Sequence, residues 1–187
     1  MLTAPSDKPG QGELRLRAAR VRLLVFDVDG VLTDGGLYYG AEGESLKRFD
    51  VKDGQGMVMA RLVSLPSALL TARTSALVER RGHELQVLEV LQGRKDKLAA
   101  LDDLLARHGI DPEDCAYMGD DVIDLGPMGR VGLPACPSDA ALEVRKAAAF
   151  VAQSPGGRGA ARELVEFCLK ASGRWERAVA LGSAPGH

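Results

Sequence analysis

Cysteines, aromatic residues and long apolar runs are all scarce in this chain of 187 residues. Its cysteines, Cys115, Cys136 and Cys168, are odd in number and far apart, which counts against a disulfide scaffold and against a clustered zinc site. Aromatic residues make up 4% of the chain, which is few for a platform that stacks nucleic-acid bases. No run approaches the ~20 apolar residues of a membrane-spanning helix. We therefore expect a cytoplasmic protein that binds neither nucleic acid nor membrane.

A strong excess of charge is also absent. The formal net charge of -2 offers no electrostatic attraction to nucleic acid or to an anionic membrane. The hydrophobic fraction of 45% and the charged fraction of 27% are typical of a soluble globular protein. The length suits one sizeable core. We predict a disordered or loosely ordered leader over residues 1–20, one domain over 21–172 and a C-terminal tail over 173–187.

The chain is organised around the stretch from Val21 to Gly36, which reads VRLLVFDVDGVLTDGG. It begins with an apolar run that is typical of a parallel strand buried on both faces. The run ends at Asp27 and Asp29, in the position where open α/β sheets bind their ligands. Two carboxylates this close need a cation or a shared proton. A DxDG sequence alone is more often an acidic turn, so its assignment as a ligand site depends on the motifs in the rest of the chain.

Strand-like and helix-like segments alternate after this stretch. Strands are predicted near residues 67–70, 85–91, 114–118, 131–135 and 150–152, and helices near 53–64, 93–109, 138–148 and 160–171, with another ending near residue 81. This order predicts an α/β fold with a doubly wound, mainly parallel sheet. Residues 35–53 contain two short strand-like pieces and predict a β-hairpin insertion, too short to form a cap domain.

Reactive side chains follow several of the predicted strands, and a lysine begins the long amphipathic helix. These residues are Asp27, Asp29, Thr71, Lys97, Asp120 and Asp121. Carboxylates from two strand ends can share Mg²⁺, which prefers oxygen ligands, while a hydroxyl and an ammonium group suit phosphate oxygens. Singly, each residue has an ordinary explanation as a helix cap, a solvated lysine or a turn. Together, in this order, they predict phosphoryl chemistry.

DVDGVLTDG, the threonine after an apolar strand, the later lysine and GDDVID resemble the four motifs of the haloacid-dehalogenase superfamily of phosphotransferases. The resemblance runs from about Val21 to Ala171. It is closer still to the capless 3-deoxy-D-manno-octulosonate 8-phosphate (KDO 8-phosphate) phosphatase family, through the blocks FDVKDGQG, GRKDK, YMGDDVID and GGRGAARE. The resemblance implies a Mg²⁺-dependent phosphatase of lipopolysaccharide precursor synthesis.

The resemblance also implies roles for individual residues. Asp27 would attack phosphorus and form an aspartyl-phosphate, and Asp29 would act as general acid and then as general base. Mg²⁺ would be bound by the carboxylates of Asp27 and Asp120 and by the backbone carbonyl of Asp29. Thr71 and Lys97 would hold the phosphoryl oxygens. Asp121 and Asp124 would orient Lys97 or the metal-bound water.

The implied substrate is a phosphosugar enclosed between neighbouring subunits, since this subgroup has no cap. The implied assembly is a homotetramer with the hairpins at its centre. The substrate-binding residues carried over by the resemblance are Phe49, Asp50, Val51, Lys52, Asp53, Arg73, Arg81 and Arg158. An arginine fork such as that of Arg158 suits a carboxylate on the sugar, and its loop is expected to reach a neighbour's site.

The chain departs from the family pattern at two positions. Ala72 stands where the family usually has glycine, and Val58 stands where it tends to have arginine. Alanine excludes an easy positive φ, so the loop after Thr71 is expected to differ slightly. Arg61, about one helical turn after Val58, is a candidate substitute. The departures bear on the identity of the sugar rather than on the phosphoryl chemistry.

Three alternatives stay open at this point. A nine-carbon sugar-acid 9-phosphate of the sialic-acid type would suit the same capless fold. A signalling receiver domain also combines Asp, Thr and Lys around Mg²⁺, but it lacks the acid/base carboxylate represented here by Asp29. A non-catalytic tetramerisation module would not need Asp27, Asp29, Lys97 and Asp120 intact.

Overall fold

The computed structural model describes residues 9–184. Its strands are β1 (Leu23–Phe26), β2 (Tyr38–Gly40), β3 (Gly43–Leu46), β4 (Ser67–Leu70), β5 (Val90–Leu91), β6 (Cys115–Met118), β7 (Leu133–Cys136) and β8 (Phe150–Val151). Six of them form a parallel sheet in the order β5-β4-β1-β6-β7-β8, and β2 and β3 form a separate antiparallel hairpin. The predicted α/β class, the parallel sheet and the hairpin insertion are confirmed.

The helices are α1 (Gln11–Arg20), α2 (Val51–Leu62), α3 (Ala76–Leu85), α4 (Lys97–His108), α5 (Leu125–Arg130), α6 (Leu142–Ala147), α7 (Ala160–Ala171) and α8 (Trp175–Gly182). Short 3-10 turns span Pro112–Asp114 and Val122–Asp124. Within residues 9–184, no helix combines the length and the apolar character needed to span a membrane.

The core lies in two layers, one on each face of the sheet. Alternate residues of β1 point to opposite layers: Leu24 and Phe26 pack with α2 and α7, and Leu23 and Val25 pack with α4 and α5. Each of these strand residues is fully buried. This accounts for the unbroken apolar run, because a central parallel strand has no solvent-exposed face.

The structure corrects the predicted boundaries at both ends of the domain. The second half of the predicted leader forms α1, which packs against α7 and buries Ala18. The predicted tail forms α8, which packs against α2 and buries Ala178. The ordered unit therefore runs at least from Gln11 to Gly182. The rest of the leader and tail predictions, at residues 1–8 and 185–187, falls outside the described residues.

Two local predictions are also corrected. The helix expected from Ser138 begins at Leu142, because the preceding residues form a turn in which Ala141 N donates to Asp120 O at 2.8 Å. The strand expected over 85–91 is limited to Val90–Leu91, because α3 continues to Leu85 and Gln86 closes it in a left-handed conformation with φ of 53°.

Candidate active site

A cleft of about 170 Å³ opens where β1, β4 and β6 end. β1 ends one residue before Asp27, β4 one residue before Thr71, and β6 two residues before Asp120. The parallel order of these strands brings their carboxyl ends to one edge of the sheet. The cleft is lined by Asp27, Asp29, Thr71, Ala72, Arg73, Lys97, Asp120, Asp121 and Ile123. Residues from distant parts of the sequence therefore converge here.

A buried cluster of charge lies at the floor of this cleft. Carboxylate oxygens of Asp27, Asp120 and Asp124 lie within 4.8 Å of one another. Lys97 Nζ lies 2.9 Å from Asp27 Oδ1 and 2.7 Å from Asp124 Oδ1, and its side chain is only 1% exposed. The cluster thus has three carboxylates and one ammonium group, which contacts two of them, so it carries excess negative charge when all of them are ionised.

Asp124 is already occupied by donors from the protein. Its Oδ1 accepts from Lys97 Nζ and from the Tyr117 hydroxyl, each at 2.7 Å. Its Oδ2 accepts the backbone N–H groups of Asp120 at 3.1 Å and Asp121 at 3.3 Å. Four donors match the acceptor capacity of a carboxylate. This side chain therefore suits the orienting of Lys97 and of the Asp120 loop.

The protonation of the cluster reflects its burial. Burial raises the pKa of Asp27 to about 6, although Lys97 opposes the shift. Burial, with the nearby charges of Asp27 and Asp124, raises the pKa of Asp120 to about 8. Burial alone would lower the pKa of Lys97, but the two carboxylates that contact it raise it instead.

This donor set fits a hard divalent cation such as Mg²⁺. Carboxylate oxygens of Asp27 and Asp120 lie within 4.8 Å of each other, and a cation between them would offset their repulsion. Asp27 and Asp120 are therefore the carboxylates that would hold the ion, in line with the ligands that the resemblance implied. Asp124 belongs to the same cluster but is saturated.

Gly30 permits the close approach of Asp120 to the β1 turn. Its φ is +88°, and a Cβ atom there would lie 2.0 Å from Asp120 Oδ2. Any larger residue would therefore displace a carboxylate of the cluster.

The departures at positions 72 and 58 have structural answers. Among the described non-glycine residues, positive φ occurs only at Ser64 and Gln86, so Ala72 is unstrained. Arg73 N donates to Thr71 Oγ1 at 3.2 Å, which keeps the loop tight.

Val58 packs against the core. Arg61 lies in the last turn of α2, which leads into the start of β4 at the opposite edge of the sheet. It is therefore not a substitute in the cleft.

Most of the predicted substrate-binding residues lie outside this cleft. Only Arg73 of that set lines it. A separate small pocket is lined by Phe49, Asp50, Asp53 and Arg81. Val51 and Lys52 are exposed, and Arg158 is exposed with its Nη2 3.9 Å from Asp34 Oδ2. Within one chain, the predicted set is therefore divided between at least two places.

Asp53 has a structural role instead of a place in the cleft. Its Oδ2 accepts from Gly159 N at 3.1 Å, and its Oδ1 accepts from Arg162 N at 2.8 Å. Burial raises its pKa, and these two hydrogen bonds oppose the shift. The contacts fasten the first turn of α2 to the start of α7.

Replacing Asp53 by alanine should lower the free energy of unfolding by about 2–4 kcal/mol, because one buried and one partly buried N–H group lose their charged acceptor. Urea unfolding followed by circular dichroism measures this loss. Glu143→Ala, a change at an exposed acidic residue of α6, is the control and should shift stability by less than about 0.5 kcal/mol. Equal stability of the two variants would contradict the structural role of Asp53.

Sequence analysis missed three residues that contact the site, namely Tyr117, Lys47 and Glu44. Tyr117 donates to Asp124, and Lys47 from the hairpin contacts Asp29 and Glu44. A tyrosine directly before Met-Gly-Asp-Asp was a usable signal for the first of these. The position of Lys47 depends on how the hairpin folds back, for which the sequence carried no periodic pattern.

Comparison with known proteins places this chain in a family. A family model described as haloacid dehalogenase-like hydrolase matches residues 69–164. The 3-deoxy-D-manno-octulosonate 8-phosphate phosphatase KdsC of Escherichia coli (strain B / BL21-DE3) is 41% identical over 170 residues, which cover 91% of this chain and 90% of that protein. The chain belongs to the KDO 8-phosphate phosphatase family.

Solved structures of this family and its neighbours share the fold. The KDO 8-phosphate phosphatase of Moraxella catarrhalis, solved in complex with a magnesium ion, a phosphate ion and KDO, superposes with a TM-score of 0.89 at 35% identity and covers 92% of this chain and 99% of its own. The Yersinia pestis phosphatase gives 0.87 at 40% identity, with coverages of 94% and 96%. A probable YrbI family phosphatase of Pseudomonas syringae gives 0.89 at 42%, with coverages of 95% and 100%. The resemblance inferred from the motifs is confirmed.

Proposed function

We propose that this protein hydrolyses KDO 8-phosphate to KDO and phosphate with Mg²⁺, through an aspartyl-phosphate intermediate. The observation that carries the proposal is the meeting of Asp27, Lys97 and Asp120 at one cleft, in a chain 41% identical to a KDO 8-phosphate phosphatase. The magnesium, phosphate and KDO bound to the Moraxella catarrhalis relative support the same cofactor and product class here.

Asp27 supplies the nucleophile. Its Oδ1 is held by Lys97, so its carboxylate has a fixed orientation at the end of β1. A carboxylate oxygen attacks phosphorus, the new O–P bond forms, and the bond from phosphorus to the sugar oxygen breaks. Bound Mg²⁺ supplies charge neutralisation between carboxylate and phosphate. Lys97 and the Thr71 hydroxyl lie in the same cleft and suit the remaining phosphoryl oxygens.

Asp29 supplies proton transfer. It lies two residues beyond the nucleophile and lines the same cleft. It gives a proton to the departing sugar oxygen and then takes one from the water that attacks the aspartyl-phosphate, which releases phosphate and restores Asp27. This residue separates the proposal from a receiver domain, and the intact set of charged groups separates it from a non-catalytic module.

Turnover of a panel of phosphosugars tests the proposal directly. We expect release of phosphate from KDO 8-phosphate with Mg²⁺, loss of release with EDTA, and at least about tenfold lower kcat/KM for a nine-carbon sugar-acid 9-phosphate. A preference for the nine-carbon substrate would overturn the assigned sugar. The relatives' names favour the eight-carbon substrate.

A homotetramer in the cytoplasm is part of the same proposal. The hairpin exposes Leu37, Tyr38, Tyr39 and Leu46, which are large apolar residues of the kind that subunit contacts bury. Subunit contact would also bring the predicted substrate residues outside the cleft, Arg158 among them, toward a neighbouring site. Light scattering of the purified protein measures the assembly, and a monomer at micromolar concentration would contradict it.

A further inference from the structure

The hairpin reaches into its own subunit's cleft through Lys47. The neighbouring Leu46 is 54% exposed, yet the Lys47 side chain is 1% exposed. Burial of an ammonium group is costly unless it is paired. Lys47 Nζ contacts Asp29 Oδ1 and lies 3.1 Å from Glu44 Oε1, so two carboxylates balance it.

Asp29 receives few other contacts. Its Oδ2 is buried and has no hydrogen-bond partner among the described residues. Arg73 Nε lies 3.9 Å from Oδ2, too far for a hydrogen bond, and Arg73 is itself drawn to Glu44 and to the Tyr39 hydroxyl. Lys47 therefore fixes the Asp29 carboxylate through Oδ1. Oδ2 is left free to accept or donate the proton in catalysis.

We infer that Lys47 is a positioning residue that orients Asp29 for proton transfer, with Glu44 holding Lys47 in place. The inference rests on the acid/base role of Asp29 in the proposed function. It makes the hairpin part of the catalytic machinery within one subunit, in addition to any contact between subunits.

The four charged side chains involved cancel in formal charge. Lys47 and Arg73 are cationic, and Asp29 and Glu44 are anionic. Loss of Lys47 would leave two carboxylates to compete for Arg73. Asp29 would then turn toward the guanidinium group and away from the departing oxygen. The expected defect is in kcat rather than in KM, because Thr71 and Lys97, which hold the phosphoryl oxygens, and Asp120, which would hold the metal ion, are untouched.

A double-mutant cycle between Lys47→Met and Asp29→Asn tests this inference. We expect Lys47→Met to lower kcat about 10- to 100-fold and to change KM less than about threefold. In the Asp29→Asn background, the same change should lower kcat by less than about threefold, because the group that it positions is already gone. Equal losses in both backgrounds, or full activity of Lys47→Met, would overturn the inference.

Controls separate this inference from folding and from the choice of substrate. Lys146→Met removes an exposed lysine of α6 and should keep wild-type kcat. Melting temperatures are measured for every variant, and Lys47→Gln replaces Lys47→Met if the latter fails to fold. If the wild type hydrolyses p-nitrophenyl phosphate but not KDO 8-phosphate, the proposed substrate is wrong, and the cycle is run on the aryl ester. A wild type inactive on both would overturn the role of Asp29 and this inference with it.

Discussion

Asparagine at position 29 is expected to leave the phosphoryl group trapped on Asp27. Asn has nearly the same shape as Asp, but it cannot take a proton from the hydrolytic water. Steady-state phosphate release should fall about 10²- to 10⁴-fold, which is the usual contribution of a general acid–base residue. Intact-protein mass spectrometry of acid-quenched samples should detect the phosphorylated chain.

Asp27→Asn is the matched control for this trap. It removes the nucleophile at the end of the same strand, so it should show neither turnover nor a phosphorylated chain. Unchanged turnover of Asp29→Asn would contradict the role given to this residue. A phosphorylated Asp27→Asn chain would place the nucleophile elsewhere.

Asparagine at position 120 should stabilise the metal-free protein while abolishing its response to Mg²⁺. Asp120 lies within 4.8 Å of two other carboxylates that share one lysine. Its pKa is raised from 3.8 to about 8, mainly by burial. The folded chain therefore holds a proton that the unfolded chain releases, and folding loses stability as the pH rises through this window.

Thermal melting with EDTA and with Mg²⁺, at several pH values, measures both effects. In EDTA, the melting temperature of Asp120→Asn should exceed that of the wild type only slightly near pH 4 and by at least about 2 °C near pH 8. Mg²⁺ should raise the melting temperature of the wild type, since a ligand of the folded state stabilises it, and should leave the variant unchanged. Asp102→Asn, at a half-exposed surface ion pair with Arg130, is the control and should respond to Mg²⁺ as the wild type does. A variant that melts below the wild type in EDTA at pH 8, or that keeps the Mg²⁺ response, would contradict this account.

The parallel sheet and the shared cleft were predictable because they depend on local patterns. An unbroken apolar run followed by Asp27 indicates both a buried strand and the edge at which it ends. The same logic applies to Thr71 after β4 and to Asp120 after β6. Since the carboxyl ends of parallel strands lie at a common edge of the sheet, the strand pattern was enough to predict that these side chains lie close together.

The remaining features depend on contacts between distant residues. Helix α1 carries little apolar surface, and its order comes from packing against α7, which no local pattern reveals. Asp53 accepts hydrogen bonds from backbone groups more than a hundred positions away. The sequence motif around Asp53 could be recognised, but the structural role of the residue could not be predicted from it. The catalytic and substrate-binding roles of the residues in the cleft stay predictions until the variants are measured.

The tight meeting of Gly30 with Asp120 has a consequence for altering this protein. A side chain at Gly30, in the turn after β1, would displace the Asp120 carboxylate from the floor of the cleft. The walls of the cleft differ, because the hairpin and the rim around Ile123 are half-exposed or exposed. A mutant library aimed at other phosphate esters has freedom at the exposed residues of those walls, with Lys47 and Glu44 kept, and none at the glycine.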